Sequence, residues 1–171
     1  MNGDLIEMLA PVCRGSTAFL AIGNVDRGDD GAGVALGRAL REAGLPFVFE
    51  GGMEPERKVP LVRDLGCETI VFLDAVDVAA EPGSVVVMDA LELAGRYPQV
   101  STHKLSLGAL ARLAADGNES RVYLIGIQPE TIVLEGEGLS SAVDATVRTL
   151  AQAIANVLLE SHHAIEERVC H

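Results

Sequence analysis

The sequence predicts an α/β fold: a three-layer sandwich in which a mostly parallel, twisted sheet of about five strands is flanked by helices. Short apolar segments rich in β-branched residues alternate with longer segments of helical periodicity. The short segments are continuously apolar, which is typical of parallel strands buried on both faces. With 171 residues, of which 49% are hydrophobic and 22% charged, the chain can bury one core, so a single domain is expected.

The first half of the chain predicts two strand-helix units. TAFLAIG at 17–23 is a continuous apolar strand, and 31–43 has helical spacing up to Gly44, a residue that commonly ends helices. PFVF at 46–49 predicts a second strand, and 55–65 a second helix. Helices between strands are the crossover connections that a parallel sheet requires.

The second half continues this order. TIVFL at 69–73 predicts a third strand, which Asp74 closes. We expect the remaining elements to be a strand at 84–88, a helix at 105–115 capped by Ser101 or Thr102, a strand at 121–127 and a final helix from 141 to about 159. A leader at 1–16 and a tail at 161–171 would flank the α/β core at 17–160.

Charge and cysteine content exclude several classes of partner. Thirteen basic and 25 acidic residues give a net charge of −12, which repels nucleic acids and anionic membranes. No apolar run approaches the roughly 18 residues that span a bilayer, and the N-terminus lacks the basic region of a signal peptide. Three cysteines without CxxC spacing fit a reducing cytoplasm, and Cys13 and Cys67 are interpreted as buried or incidental.

The loop GNVDRGDDGAG at 23–33 joins the first strand to the first helix. Its glycines do not match G-x-G-x-x-G and no GK[ST] follows, while Asp29 and Asp30 would repel a phosphate at the helix N-terminus. A nucleotide site is therefore disfavoured. One of the two carboxylates is expected to cap the helix, and one could instead point into the cleft as a metal ligand or general base.

Two further polar residues are expected at the carboxyl edge of the sheet, where α/β folds place their ligands. Asp74 ends the third strand, whereas Asp77 is interpreted as solvated. His103 precedes the helix at 105–115. Together, Asp30, Asp74 and His103 make a plausible divalent-metal site with oxygen and nitrogen ligands.

Covalent acyl chemistry has no obvious nucleophile, because no Ser or Cys occupies a G-x-S-x-G turn. The tail HHAIEERVCH at 162–171 contains His and Cys residues that could bind metal adventitiously. A frayed helix end is the interpretation that we favour for this segment.

Four motifs resemble those of the hydrogenase maturation proteases. GNVDRGDDGAG is similar to the family's G-N-x-L-x-x-D-[DE]-G-x-G, LDAVD to its strand-end D-A, STHKLSL to T-H-x-L-x-L, and GIQPE to G-[IV]-x-P-E. They occur in the family's order from Gly23 to Glu130. GGMEPE also resembles G-G-x-x-P-E of the branch that serves formate-hydrogenlyase-type enzymes, and Asp26 departs from the family's usual Leu.

The resemblance implies an endopeptidase that removes the C-terminal extension of a nickel-loaded [NiFe]-hydrogenase large-subunit precursor. By motif position, the family's metal-binding residues fall on Asp30, Asp74 and His103. The metal would be nickel supplied by the substrate, or another divalent ion, and either Asp could act as the base. The alternatives are a non-catalytic nickel checkpoint or chaperone protein that binds the immature large subunit and, less favoured, a nucleotide-binding α/β protein.

Overall fold

The computed structural model describes residues 2–92, 106–132 and 138–169, with side chains at 3–92, 106–132 and 138–159. The helices are α1 (Asn2–Leu9), α2 (Ala32–Glu42), α3 (Val59–Asp64), α4 (Leu107–Ala115) and α5 (Ser141–Val169). The strands are β1 (Thr17–Ile22), β2 (Val48–Gly52), β3 (Thr69–Ala75), β4 (Val85–Asp89) and β5 (Arg121–Ile127). None of the helices in these ranges is both long enough and apolar enough to cross a membrane.

The strands form one sheet in the order β2-β1-β3-β5-β4. Of the five strands described, four are parallel and β4 runs antiparallel to its neighbour β5. Every residue of β1 and β3 is buried, as their continuous apolar sequences predict. The predicted mostly parallel α/β sheet of about five strands is therefore confirmed.

Helices cover both faces of the sheet and complete three layers. One core cluster joins α1, α2 and α5 to one face, and the other joins α3 and α4 to the opposite face. Phe19 belongs to the first cluster and Phe72 to the second, and each is at most 1% exposed. Burying a side chain of this size stabilises the fold by roughly 1.5–3 kcal/mol, so both helical layers are held by substantial apolar contact.

Helix α1 lies within the segment that the sequence analysis interpreted as a leader. Leu9, at its end, and Val12, just after it, are both 0% exposed and belong to the core cluster of α1, α2 and α5. Sequence periodicity missed this helix because its eight residues are too few to establish a helical repeat. The division of the chain into leader, core and tail stays a prediction.

Two predicted helices differ from the structure at their beginnings. The helix expected at 55–65 is a 3-10 turn at Pro55–Arg57 followed by α3. Pro60 lacks the N–H that a continuous helix would donate to the carbonyl of Glu56. Helix α4 is capped by Ser106, whose hydroxyl accepts a hydrogen bond from Ala109 N at 3.2 Å. The residues expected to cap it, at 101 and 102, lie outside the described residues.

The final helix is longer than predicted: α5 continues ten residues beyond the expected end near 159. The side chains of His162 and His163 are not among those described, and residues 170 and 171 lie outside the described ranges. The adventitious metal binding considered for this tail therefore stays a prediction.

Three predicted strands are displaced. Strand β2 occupies 48–52 rather than 46–49, because pairing with β1 continues until Gly23 N donates to Gly52 O at 3.1 Å. Strand β4 lies one residue later than the predicted 84–88. Strand β3 does not close at Asp74 but runs through it to Ala75, with Asp74 paired to Gly126 of β5. These shifts leave the carboxyl edge of the sheet where the sequence predicted it.

Candidate active site

The loop after β1 folds back tightly on the end of its own strand. Gly23 has a positive φ of 140°, and a Cβ at this position would lie 2.1 Å from the carbonyl oxygen of Asp30. Asn24 N donates to the same oxygen at 3.2 Å. A side chain at Gly23 would therefore push Asp30 away from the end of β1.

The chain then passes through a 3-10 turn at Gly28–Gly31 into α2. At Gly33 in the first turn of α2, a Cβ would lie 2.4 Å from Ile22 O and 2.2 Å from Leu73 O. The helix N-terminus thus rests directly on the carboxyl ends of β1 and β3. Residues of the 3-10 turn also come within 8 Å of β3, measured between Cα atoms.

This geometry brings the predicted site residues Asp30 and Asp74 to adjoining elements at the carboxyl edge of the sheet. Asp30 is in the turn and is 1% exposed, whereas Asp74 is near the end of β3 and is 0% exposed. Burying a carboxylate is strongly unfavourable unless polar groups or a metal compensate for the lost hydration. Such an arrangement is typical of a functional site rather than of a loop connection.

Asp29 has a different place from the one that the sequence predicted. The cap positions of the 3-10 turn and of α2 are Arg27 and Gly31, and neither cap has a side-chain hydrogen bond. The helix-capping prediction is therefore wrong for both Asp29 and Asp30. The Asp29 carboxylate is 0% exposed and instead accepts from three distant backbone N–H groups, Glu130 at 2.8 Å, Thr131 at 3.3 Å and Ser140 at 2.7 Å.

Gln128 is a structural residue at this edge that the sequence analysis missed. It is 7% exposed, and its Oε1 accepts from Val78 N at 2.8 Å and Ala80 N at 3.3 Å. Its Nε2 donates to Asp77 Oδ1 at 3.3 Å. A polar residue directly after an apolar strand selected Asp74 in the sequence analysis, and the same signal after β5 would have found Gln128. Asp77 is exposed, as predicted.

The residue that departs from the family motif, Asp26, lies on the outside of the loop. It is exposed, and its backbone N donates to Asn24 Oδ1 at 2.9 Å, which is an Asx turn. The Asp26 carboxylate therefore faces solvent. The position of Asp30 is set instead by its contacts with Gly23 and Asn24.

The cysteines that the structure describes are not nucleophiles of this site. Cys13 and Cys67 are free and buried, as predicted. Burial raises the pKa of the Cys13 thiol to about 11. Since the thiolate is the reactive form, this side chain is inert near neutral pH.

The third predicted ligand, His103, lies outside the described residues. Within 2–92, 106–132 and 138–159, no group of three or more His, Cys, Asp or Glu side chains is arranged to hold a metal ion. The structure therefore describes Asp30 and Asp74 of the predicted triad but not His103. The three-residue metal site stays a prediction.

Comparison with known proteins identifies the family. The profile described as hydrogenase maturation protease matches residues 34–157. The hydrogenase 3 maturation protease of Escherichia coli strain K12 is 33% identical over 117 residues, which are 67% of this chain and 73% of that protein. The chain belongs to the hydrogenase maturation protease family. The resemblance carried by the four motifs is thus confirmed, and the chain is a hydrogenase maturation protease.

Solved structures of this family share the fold. The crystal structure of a [NiFe] hydrogenase maturation protease HycI from Thermococcus kodakarensis KOD1 superposes with a TM-score of 0.78 at 30% identity, covering 91% of this chain and 98% of that one. The maturation protease HybD from Thermococcus kodakarensis gives a TM-score of 0.69 at 30% identity, with 84% and 99% covered. The profile match begins after Asp30 but includes Asp74 and the position of His103.

Proposed function

We propose that this family member is the endopeptidase that removes the C-terminal extension of a nickel-loaded [NiFe]-hydrogenase large-subunit precursor and uses the bound nickel for recognition. The observation that carries the proposal is the burial of Asp30 and Asp74 at adjoining elements of the carboxyl edge. The 33% identity to a hydrogenase 3 maturation protease supports a precursor of that hydrogenase type.

In this proposal, Asp30, Asp74 and His103 contact the nickel of the precursor. Two carboxylates and an imidazole are a chemically reasonable ligand set for a divalent transition metal. The nickel arrives with the substrate and polarises the scissile carbonyl. Because the ion is part of the substrate, the free enzyme requires no nickel of its own, although another divalent ion could occupy the same ligands.

The two carboxylates also supply the acid-base chemistry of peptide hydrolysis. A water oxygen forms a bond to the carbonyl carbon, and one of the carboxylates takes the proton that this water loses. The C–N bond then breaks as the same proton passes to the departing nitrogen. The products are a large subunit with a new C-terminal carboxylate and a released peptide with a new amino terminus.

Burial of the two carboxylates favours this chemistry. Electrostatic interactions are stronger in a site from which water is excluded. Asp30 and Asp74 are 1% and 0% exposed, so the precursor must displace neighbouring groups to reach them. A precursor without nickel gains no metal-ligand bonds in return for that displacement, which is the physical basis that we propose for discrimination.

The test is incubation of the purified protein with nickel-loaded and nickel-free forms of one precursor, followed by intact mass measurement. We expect loss of a C-terminal peptide from the loaded form only. Equal cleavage of both forms would contradict recognition through nickel. Binding of the loaded form without any change in mass would instead support the non-catalytic checkpoint. The expected cytoplasmic location and the absence of nucleic-acid or membrane partners stay predictions.

A further inference from the structure

We propose that Asp29 is the positioning residue of the site: its carboxylate fixes the 3-10 turn that carries Asp30, without itself contacting substrate. The inference rests on the proposed role of Asp30 and extends it to a neighbouring residue. Consecutive residues of a 3-10 turn project about 120° apart. The two adjacent carboxylates therefore leave the turn in different directions and serve different tasks.

The contacts of Asp29 join the turn to two segments that are more than 100 residues away in sequence. Oδ2 accepts from Glu130 N at 2.8 Å and Thr131 N at 3.3 Å, and Oδ1 accepts from Ser140 N at 2.7 Å. The backbone N of Asp29 also donates to Thr131 O at 3.2 Å. One buried residue thus connects the turn with the segment after β5 and with the start of α5.

The start of α5 provides a further reason for a carboxylate at this position. Ser140 immediately precedes the helix, and its carbonyl accepts from Asp144 N at 2.9 Å. A negative charge beside the first N–H groups of a helix is stabilised by the helix dipole. Asp29 therefore holds the turn against a long helix that packs along the core.

The backbone hydrogen bonds described for Asp30 stay within its own loop. Asp30 N donates to Arg27 O at 3.3 Å, which is a contact within the loop, and Asp30 O accepts from Asn24 N at 3.2 Å. These bonds set the shape of the loop relative to β1. Among the described contacts, only those of Asp29 and the packing of Gly28 near Thr131 O relate the turn to the segment after β5.

Asp29→Asn is the most informative variant, because it keeps the size of the side chain and removes one acceptor. Both carboxylate oxygens accept hydrogen bonds from backbone N–H groups. Whichever oxygen the amide nitrogen replaces, that nitrogen is a donor facing another donor, so a hydrogen bond is lost. We expect the turn to shift by a fraction of an ångström. Changes in groups that orient a metal ligand typically reduce metal affinity or activity by about 10- to 100-fold.

The matched control is Thr17→Val, which removes a buried hydrogen bond from Thr17 Oγ1 to Val12 O, 3.1 Å long, at the opposite edge of the sheet. Both variants are assayed well below their unfolding midpoints. The readout is the KM for cleavage of nickel-loaded precursor, because KM, unlike the maximal rate, does not depend on the fraction of folded enzyme. Asp29→Asn should raise this KM about 10-fold or more, and Thr17→Val should leave it unchanged.

Amide hydrogen exchange separates failure of this inference from failure of the proposed function. In the wild type, the amides of Asp30, Glu130 and Ser140 should exchange slowly. In Asp29→Asn all three should exchange at least tenfold faster, whether or not any precursor is cleaved.

Rapid exchange at Glu130 and Ser140 in the wild type would overturn the inference even if the variant does not fold. An unchanged KM for nickel-loaded precursor with unchanged exchange at Asp30 would also overturn it. A wild type that cleaves neither precursor refutes the proposed function, and exchange alone then decides the role of Asp29.

Discussion

The two ends of the parallel strands are closed by different chemistry. At the amino edge, the buried polar side chains are the hydroxyls of Thr17 and Thr69, which donate to Val12 O at 3.1 Å and Arg14 O at 3.3 Å. Ser120 Oγ also donates to Cys67 O at 2.5 Å. The buried side chains at this edge are therefore neutral, and the exposed Arg121 adds a hydrogen bond from Nη2 to Thr69 Oγ1 at 3.2 Å.

Among the described residues, the buried polar side chains at the carboxyl edge are Asp29, Asp30, Asp74 and Gln128. A buried carboxylate has a much larger desolvation penalty than a hydroxyl. Since the described part of the amino edge closes without a buried charge, the buried carboxylates at the other edge require another explanation. The explanation for Asp29 is structural, because its carboxylate accepts hydrogen bonds from three backbone N–H groups. For Asp30 and Asp74 the proposed explanation is the chemistry of the site.

The largest effect is expected for Asp30→Asn and Asp74→Asn. Each should reduce processing of nickel-loaded precursor by about 100-fold or more, because the carboxylate is lost as ligand and proton acceptor. Unfolding in denaturant should show little loss of stability, since a neutral amide is less costly to bury than a charge. In the double variant the reduction should be close to that of either single variant, because the two residues act as a unit. Full additivity of the two effects would contradict a shared site.

A large loss of stability is expected for Gly33→Ala. The new Cβ would lie 2.2 Å from Leu73 O and 2.4 Å from Ile22 O, and these backbone atoms cannot move without disturbing β1 and β3. We expect a decrease in unfolding free energy of about 1–3 kcal/mol, measured by chemical denaturation. Gly3→Ala is the control, because its Cβ meets no atom within 4 Å. A variant at Gly33 as stable as this control would contradict the close packing of α2 on the carboxyl edge.

A smaller effect is expected for Thr17→Val at the amino edge. Val12 O loses its hydroxyl donor, which should lower the unfolding free energy by about 1 kcal/mol. Thr149→Val provides the comparison, because Thr149 Oγ1 donates to Ala145 O at 2.9 Å on the exposed surface of α5. Equal stabilities of the two variants would show that burial does not strengthen the amino-edge bond.

The smallest effect is expected for Arg38→Gln. Arg38 Nε and Nη2 donate to the Glu50 carboxylate at 3.0 and 2.7 Å, and this hydrogen bonding holds the pKa of Glu50 below its usual value. A lowered folded-state pKa gives stability that is present above the unfolded pKa of about 4.3 and is lost as pH falls through the folded value.

Because the Arg38 and Glu50 side chains are 52% and 36% exposed, the pair should contribute only about 0.5 kcal/mol at pH 7. Denaturation of wild type and variant should differ at pH 7 and agree near pH 3. A difference that persists at pH 3 would mean that Arg38 stabilises the fold by contacts other than its ion pair.

Much of the fold could be predicted because the strands are continuous runs of apolar residues. TIVFL is buried on both faces, as is RVYLIGI from Leu124 onward, and β5 has the predicted bounds of 121–127. The prediction ended β2 at Phe49 because Gly51 and Gly52 have low β propensity, yet the strand continues past a register shift at Gly51 to Gly52, which pairs with Ile22 of β1. Local sequence also treated Asp74 as a strand terminator, whereas pairing with Gly126 keeps it in β3.

The candidate site was predicted in part. The rule that ligands lie at the carboxyl edge selected Asp30 and Asp74, and both are buried there. Asp29 was interpreted as a cap because its partners, Glu130 and Ser140, are more than 100 positions away and only the folded chain brings them together. Such contacts have no signature in local sequence. The role of His103 stays a prediction.

A single assay that compares the two edges of the sheet tests the location of the active site. Asp74→Asn and Thr17→Val each change one buried polar side chain, at opposite ends of neighbouring parallel strands. Both variants are incubated with nickel-loaded precursor at a temperature where both are folded, and the released peptide is quantified by mass. We expect Thr17→Val to process the precursor at the wild-type rate and Asp74→Asn to lose processing. Equal rates for the two variants would contradict the assignment of the active site to the carboxyl edge.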